Sequence, residues 1–140
     1  MTLWVLDTDR VSLFQQNHPI VSSRIRSVNP EEVAVTVITA EEQFYGRMNQ
    51  IRRANSADSI LSAYARLRAT LDYFKTVNLL SFDQEAYNCY NELVRQKIRI
   101  GTQDLRIAAC VISRHGVLVT RNRRDFERIP GLRFEDWTIQ

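Results

Sequence analysis

At 140 residues the chain is long enough to bury its own core, and its 44% hydrophobic and 25% charged residues exclude a disordered or low-complexity class. No apolar run approaches bilayer length and Met1–Leu6 lacks a basic leader, so the expectation is a cytoplasmic, single-domain protein over residues 1–140, without a membrane span. A net charge of +3 is too small to demand a polyanionic partner, although 17 of the 19 basic residues are arginine and only Lys75 and Lys97 are lysine. Arginine suits phosphate oxygens, but a solvated arginine surface explains most of these residues equally well.

In chain order, Leu3-Trp4-Val5-Leu6 is a short apolar run ending at Asp7, as expected of a central parallel strand covered on both faces. Thr8-Asp9 opens a short helix over Val11, Leu13 and Phe14, and Pro19 begins another that Asn29-Pro30 closes. Val33 to Ile38 predicts a second buried strand, after which Thr39 caps a helix, with Glu42 three positions later completing a capping box. Ala54 to Ser59 is a polar turn. Ile60, Leu61, Tyr64, Leu67, Leu71 and Phe74 then recur at helical spacing.

Val77 to Leu80 predicts a third strand, and Ser81 or Asp83 starts a helix that Gly101 stops. Thr102 caps the next helix, whose Leu105, Ile107, Ala108, Ala109, Val111 and Ile112 form a broad apolar surface suited to lying deep against a sheet. Val117-Leu118-Val119 and Leu132 to Phe134 are the fourth and fifth strands. Strands alternating with helices imply an open parallel α/β sheet with helices on both faces. Cys89 and Cys110 lie far apart, in no metal-binding spacing, which predicts buried, reduced thiols.

Ligands of such sheets bind beyond the carboxyl ends of the strands, near the point where strand order reverses. Asp7 follows strand one, Glu42 lies in the first turn of the helix after strand two, and Asp125 lies in the turn after strand four. Asp104 joins them only if its helix begins at that edge. Each acid alone has a structural explanation: a cap for Asp7, the capping box for Glu42, the helix dipole for Asp104, an ion pair with Arg121 or Arg128 for Asp125. Four converging carboxylates, however, repel one another and call for a cation. Oxygen ligands without Cys or His select Mg²⁺ or Mn²⁺, which lower the pKa of bound water and steady a phosphoryl group. Arg121, Arg123, Arg124 and Arg128 are candidates to hold a substrate's phosphate backbone.

These segments resemble the PIN-domain family, most closely the VapC-type toxins of bacterial toxin–antitoxin pairs. Leu6-Asp7-Thr8-Asp9 is similar to the family's opening motif, Val37 to Gly46 to its T-x-x-E-x-x-x-G segment, and Ile100 to Ala109 to its third motif. Val119 to Phe126, with Pro130-Gly131-Leu132 and Glu135-Asp136-Trp137, is similar to its closing segment. The resemblance implies a three-layer α/β/α fold around a parallel sheet of about five strands. It further implies Mg²⁺- or Mn²⁺-dependent cleavage of RNA, a tRNA or rRNA, by a metal-activated water, leaving a 5′-phosphate and a 3′-hydroxyl. A homodimer and a cognate antitoxin are implied as well.

Carried over by position, the acids are Asp7, Glu42 rather than Glu41, Asp104 and Asp125, with Thr8, Asp9, Thr120 and Asn122 orienting water or substrate. Two positions depart from the pattern. Position 9 is Asp where Asn is commoner, and Asn122 stands where some PIN domains carry an acid, leaving open whether Asp125 or Asn122 is the fourth site residue. Two other readings compete. One is a PIN-like RNA- or protein-binding module without catalysis. The other is a haloacid-dehalogenase-type phosphatase, with Asp7 as nucleophile and Asp9 as acid/base, which would need Lys75 or Lys97 near the phosphate.

Overall fold

The computed structural model describes residues 2–8, 11 and 18–138. Its elements run β1 (Trp4–Leu6), α1 (Pro19–Ser27), a 3-10 turn (Pro30–Glu32), β2 (Val33–Thr36), α2 (Val37–Arg53), α3 (Ala57–Phe74), β3 (Asn78–Leu80), α4 (Gln84–Arg95), α5 (Thr102–Ser113), β4 (Val117–Val119), α6 (Arg123–Phe126) and β5 (Arg133–Glu135). The expected helical positions Leu13 and Phe14 lie outside the described residues.

All five strands are parallel, in the order β3-β2-β1-β4-β5. The chain lays β2 and β3 on one side of β1, then crosses to lay β4 and β5 on the other. The order therefore reverses between β1 and β4, and ligands of such sheets bind beyond the carboxyl ends of the strands at this point. Register aligns that edge: Leu6 pairs with both Val35 and Val119, so the next residues, Asp7, Thr36 and Thr120, stand level.

The strand alternation divides the core. Val5, Ala34 and Leu118 join Ile107, Ala108 and Val111 of α5 in one apolar cluster, and Leu6, Val35 and Val119 join Val11 and Trp137 in another. This gives the three-layer α/β/α arrangement of a PIN fold. Each fully buried aliphatic side chain here contributes about 1.5–3 kcal/mol relative to exposure. Gly116, where the chain leaves α5 for β4, sits so close to β1 that a Cβ would meet the Leu3 carbonyl oxygen at 3.1 Å.

Four local expectations are corrected. Thr36, not Thr39, caps α2, its hydroxyl accepting from the Thr39 N–H at 3.2 Å, so Val37-Ile38-Thr39 is helix rather than strand and Glu42 falls in its second turn. A buried β-branched run reads alike in either state, and the threonine hydroxyl that captures the first free N–H decides the boundary. The helix expected to run to Gly101 ends at Arg95, because Lys97 takes a left-handed φ of 57°. Gly101 itself is the N-cap of α5, and Thr102 is already helical. The polar turn is also shorter, since Ser56 and Ser59 form a reciprocal capping box that starts α3 at Ala57.

Candidate active site

Asp7 is the first residue past β1, only 9% exposed, and its N–H donates to the Val119 carbonyl at 3.1 Å across the point of reversal. Its own carbonyl accepts from Val11 N–H at 3.0 Å. Thr8 donates its hydroxyl to Glu42 Oε1 at 2.7 Å, with Thr39 Oγ1 3.4 Å away, so the carboxylate on α2 is tied to the residue beside Asp7.

Asp104 occupies the first turn of α5. That helix begins at the carboxyl edge: Gln103 Nε2 donates to Glu41 Oε1 at 2.9 Å, fastening the start of α5 to α2 beside Glu42. The condition for Asp104 to share the edge is therefore met. A carboxylate in the first helical turn is also favoured by the dipole, so this position serves stability as well.

Thr120, fully buried and the first residue past β4, is level with Asp7, and its hydroxyl accepts from Asn122 N–H at 3.0 Å. Asn122 in turn caps α6 and donates through Nδ2 to Asp125 Oδ2 at 3.0 Å. Asp125 pairs with neither Arg121 nor Arg128; the guanidinium of Arg128 donates to the Arg99 carbonyl instead. The question of Asp125 or Asn122 thus becomes one hydrogen-bonded unit. Arg121, Arg123, Arg124 and Arg128 are all exposed around it, and Asp9 lies outside the described residues.

The donor set is all oxygen, placed along one edge of the sheet, and so fits a hard divalent cation by its chemistry. Among the described residues, no three acidic, histidine or cysteine side chains are gathered closely enough to hold an ion. Asp7, Glu42, Asp104 and Asp125 share the edge without closing on a common point.

No protein-family model matches the chain. It is 30% identical over 141 residues to the tRNA(fMet)-specific endonuclease VapC of Salmonella typhimurium, covering 98% of this chain and 99% of that one. The chain belongs to the VapC ribonuclease family. Ribonuclease VapC1 of Haemophilus influenzae strain R2866 is 28% identical, over 97% of this chain and 98% of its own. Among solved structures, the DNA-bound VapBC of Salmonella typhimurium superposes with a TM-score of 0.79 at 28% identity, covering 98% of this chain and 99% of that one. VapBC-1 of nontypeable Haemophilus influenzae gives 0.77 at 27%, covering 98% and 99%.

In this VapC-family chain Lys75, one of the two lysines the phosphatase reading would need, closes α3 just before β3 begins, at the amino edge of the sheet opposite Asp7, and pairs with Asp72. Trp137 of the closing segment is a packing residue, 2% exposed, with its ring 5.3 Å from Trp4.

The sequence reading missed three side chains around Glu42. Glu41, Tyr45 and Gln103 line an opening of about 320 Å³ with it. Tyr45 is one helical turn beyond Glu42, and Gln103 precedes Asp104, so adjacency to a candidate acid was the available signal. Cys110 is buried as expected, its thiol pushed up to about 11 by that burial, and Cys89 is half-buried. No described helix is long and apolar enough to cross a membrane.

Proposed function

We propose that the chain is a Mg²⁺- or Mn²⁺-dependent endoribonuclease, the toxin of a type II toxin–antitoxin pair. The observation that carries this reading is the placement of Asp7, Glu42, Asp104 and Asp125 along one edge of the sheet, the carboxyl edge that holds the β1/β4 reversal. A bound divalent ion would supply an activated water and a positive charge for the phosphoryl oxygens. Asp7, Glu42 and Asp104 would hold it, with Asp125 acting directly or through water. Thr8 keeps the Glu42 carboxylate oriented, its O–H occupying one lone pair of Oε1 and leaving Oε2 for other contacts. Asn122 does the same for Asp125. Thr120 holds the Asn122 backbone against the end of β4.

The tRNA(fMet) specificity in the Salmonella relative's name makes a tRNA the first substrate to try. A homodimer and an antitoxin are supported by the apolar surface left on α3, where Ile60, Leu61, Tyr64 and Leu71 stay exposed. The neighbouring VapBC structures support the antitoxin in particular.

One observation favours the second reading, a binding module without turnover: the described acids are not yet gathered. Incubating the purified protein with tRNA in Mn²⁺ or EDTA, beside Asp104→Asn, decides between them. Discrete metal-dependent products from wild type alone support the nuclease. Intact RNA throughout, with RNA still bound, supports the module.

A further inference from the structure

Three observations converge on one face of α2. Tyr45, an aromatic residue in the middle of a helix, is 69% exposed at the mouth of the opening that Glu42 lines. Gly46 follows, in a helix interior where glycine costs about 1 kcal/mol relative to alanine. A Cβ built on it would meet nothing within 4 Å, so packing does not require the glycine and the space above it is open. Two turns on, between α2 and α3, lies a second opening of about 300 Å³ lined by Arg53, Arg66, Gln50, Ser59 and Ser62.

That second opening is cationic and unneutralised. Neither Arg53 nor Arg66 has an ion pair among the described residues. Arg47 donates through Nε to the buried Thr70 hydroxyl at 2.9 Å and feels a like charge across the helix pair: its pKa is lowered by burial and by Arg66. Gln50 Oε1 is buried there without a hydrogen-bond partner, an acceptor that a ribose 2′-hydroxyl would satisfy.

At about 100° per residue, Glu42, Tyr45, Gly46, Asn49 and Arg53 fall within one arc of about 100°. Glu42 and Arg53 are separated by about 16 Å along the axis. A stacked strand advances about 3.4 Å per nucleotide, so that distance corresponds to about five nucleotides.

We propose that this face of α2 is a track for single-stranded RNA, with Tyr45 stacking a base next to the acids, Gly46 leaving the helix bare for the strand, and Arg53 with Arg66 holding a phosphate about five nucleotides away. The track rests on the ribonuclease reading for its meaning, but it is tested by binding alone. Stacking on a tyrosine is sequence-tolerant, because every base presents a π-face.

The experiment measures anisotropy of a labelled, unstructured 12-nucleotide RNA with the Asp104→Asn protein in EDTA, across a salt series. Tyr45→Ala is expected to weaken binding about 10- to 100-fold, the worth of one stacked base, and Tyr45→Phe to restore it. Arg53→Gln with Arg66→Gln should weaken binding and flatten the salt slope by about 0.7 per phosphate released. Gly46→Leu should leave the thermal midpoint equal or higher, since leucine favours helix, while weakening binding. Wild-type affinity and slope in all of these variants would overturn the track. A protein without RNase activity in the tRNA assay would overturn the enzyme assignment instead, and the binding data would still judge the track.

Discussion

Thr8 and Glu42, 34 positions apart, meet through a 2.7 Å hydrogen bond that joins the end of β1 to the second turn of α2. The bond is charge-assisted, partly buried, and made by the residue next to Asp7. It presets the direction of a carboxylate before any ligand arrives.

Thr8→Val removes the donor and keeps the shape. It should cost about 1.5–3 kcal/mol of stability, the range for a hydrogen bond to a charged group, and lower kcat. Thr8→Ser should retain both. Thermal melts beside single-turnover tRNA cleavage check this, and a Thr8→Val protein as active as wild type would show that Glu42 needs no support.

Asp125 and Asn122 act as a pair, so their substitutions should not add. Asp125→Asn should cost about 10–100-fold in activity, as expected of a group one shell removed from an ion, and Asn122→Ala a similar amount. The double variant should be little worse than either single one. Asp7→Asn should bring cleavage to background. An Asp125→Asn protein more damaged than Asp7→Asn would move Asp125 into direct contact.

Alkaline pH should destabilise the protein through the Tyr73 phenol and the Cys110 thiol. Burial raises the Tyr73 phenol to about 12, from an ordinary value of 10.0, and the Cys110 thiol to about 11, from 9.0. Both are neutral when protonated, and the folded state holds those protons more tightly. Their stabilisation is full below the unfolded values and is lost as pH rises from 9 through 11 for Cys110 and from 10 through 12 for Tyr73. Each accounts for about 2–3 kcal/mol at most. Urea melts at pH 8 and pH 11 should show a smaller difference for Tyr73→Phe than for wild type.

Leu61, 69% exposed on α3, belongs to an apolar face that the described residues leave exposed. Leu61→Glu should leave thermal stability within about 0.5 kcal/mol, as for other surface substitutions. If α3 is the self-association surface, light scattering will report a lighter species than wild type. An unchanged mass would assign that face to the antitoxin or to neither.

The acids and the sheet were legible in local pattern for separate reasons. Short apolar runs, each ended by a polar residue, marked β1 and β4, the β-branched stretch Val33 to Ile38 marked β2, and the carboxyl-edge rule then put Asp7 and Asp125 together. Helix boundaries were less legible. Val37-Ile38-Thr39 has the composition of a strand, and only the Thr36 hydroxyl on the Thr39 N–H turned it into helix. Lys97 carries no compositional sign of its left-handed turn.

What the sequence determined by itself was the identity and order of the candidate chemistry: four acids, each attached to a strand end or a helix start. What only the tertiary structure decided was which residues face one another. The Thr8–Glu42 bond, the Gln103–Glu41 clasp and the Asn122–Asp125 pair depend on side-chain directions, and so do the open face above Gly46 and the unpaired Arg53 and Arg66. Those directions follow from strand register and helix packing, which are set by contacts between residues distant in the chain, so no local pattern contains them.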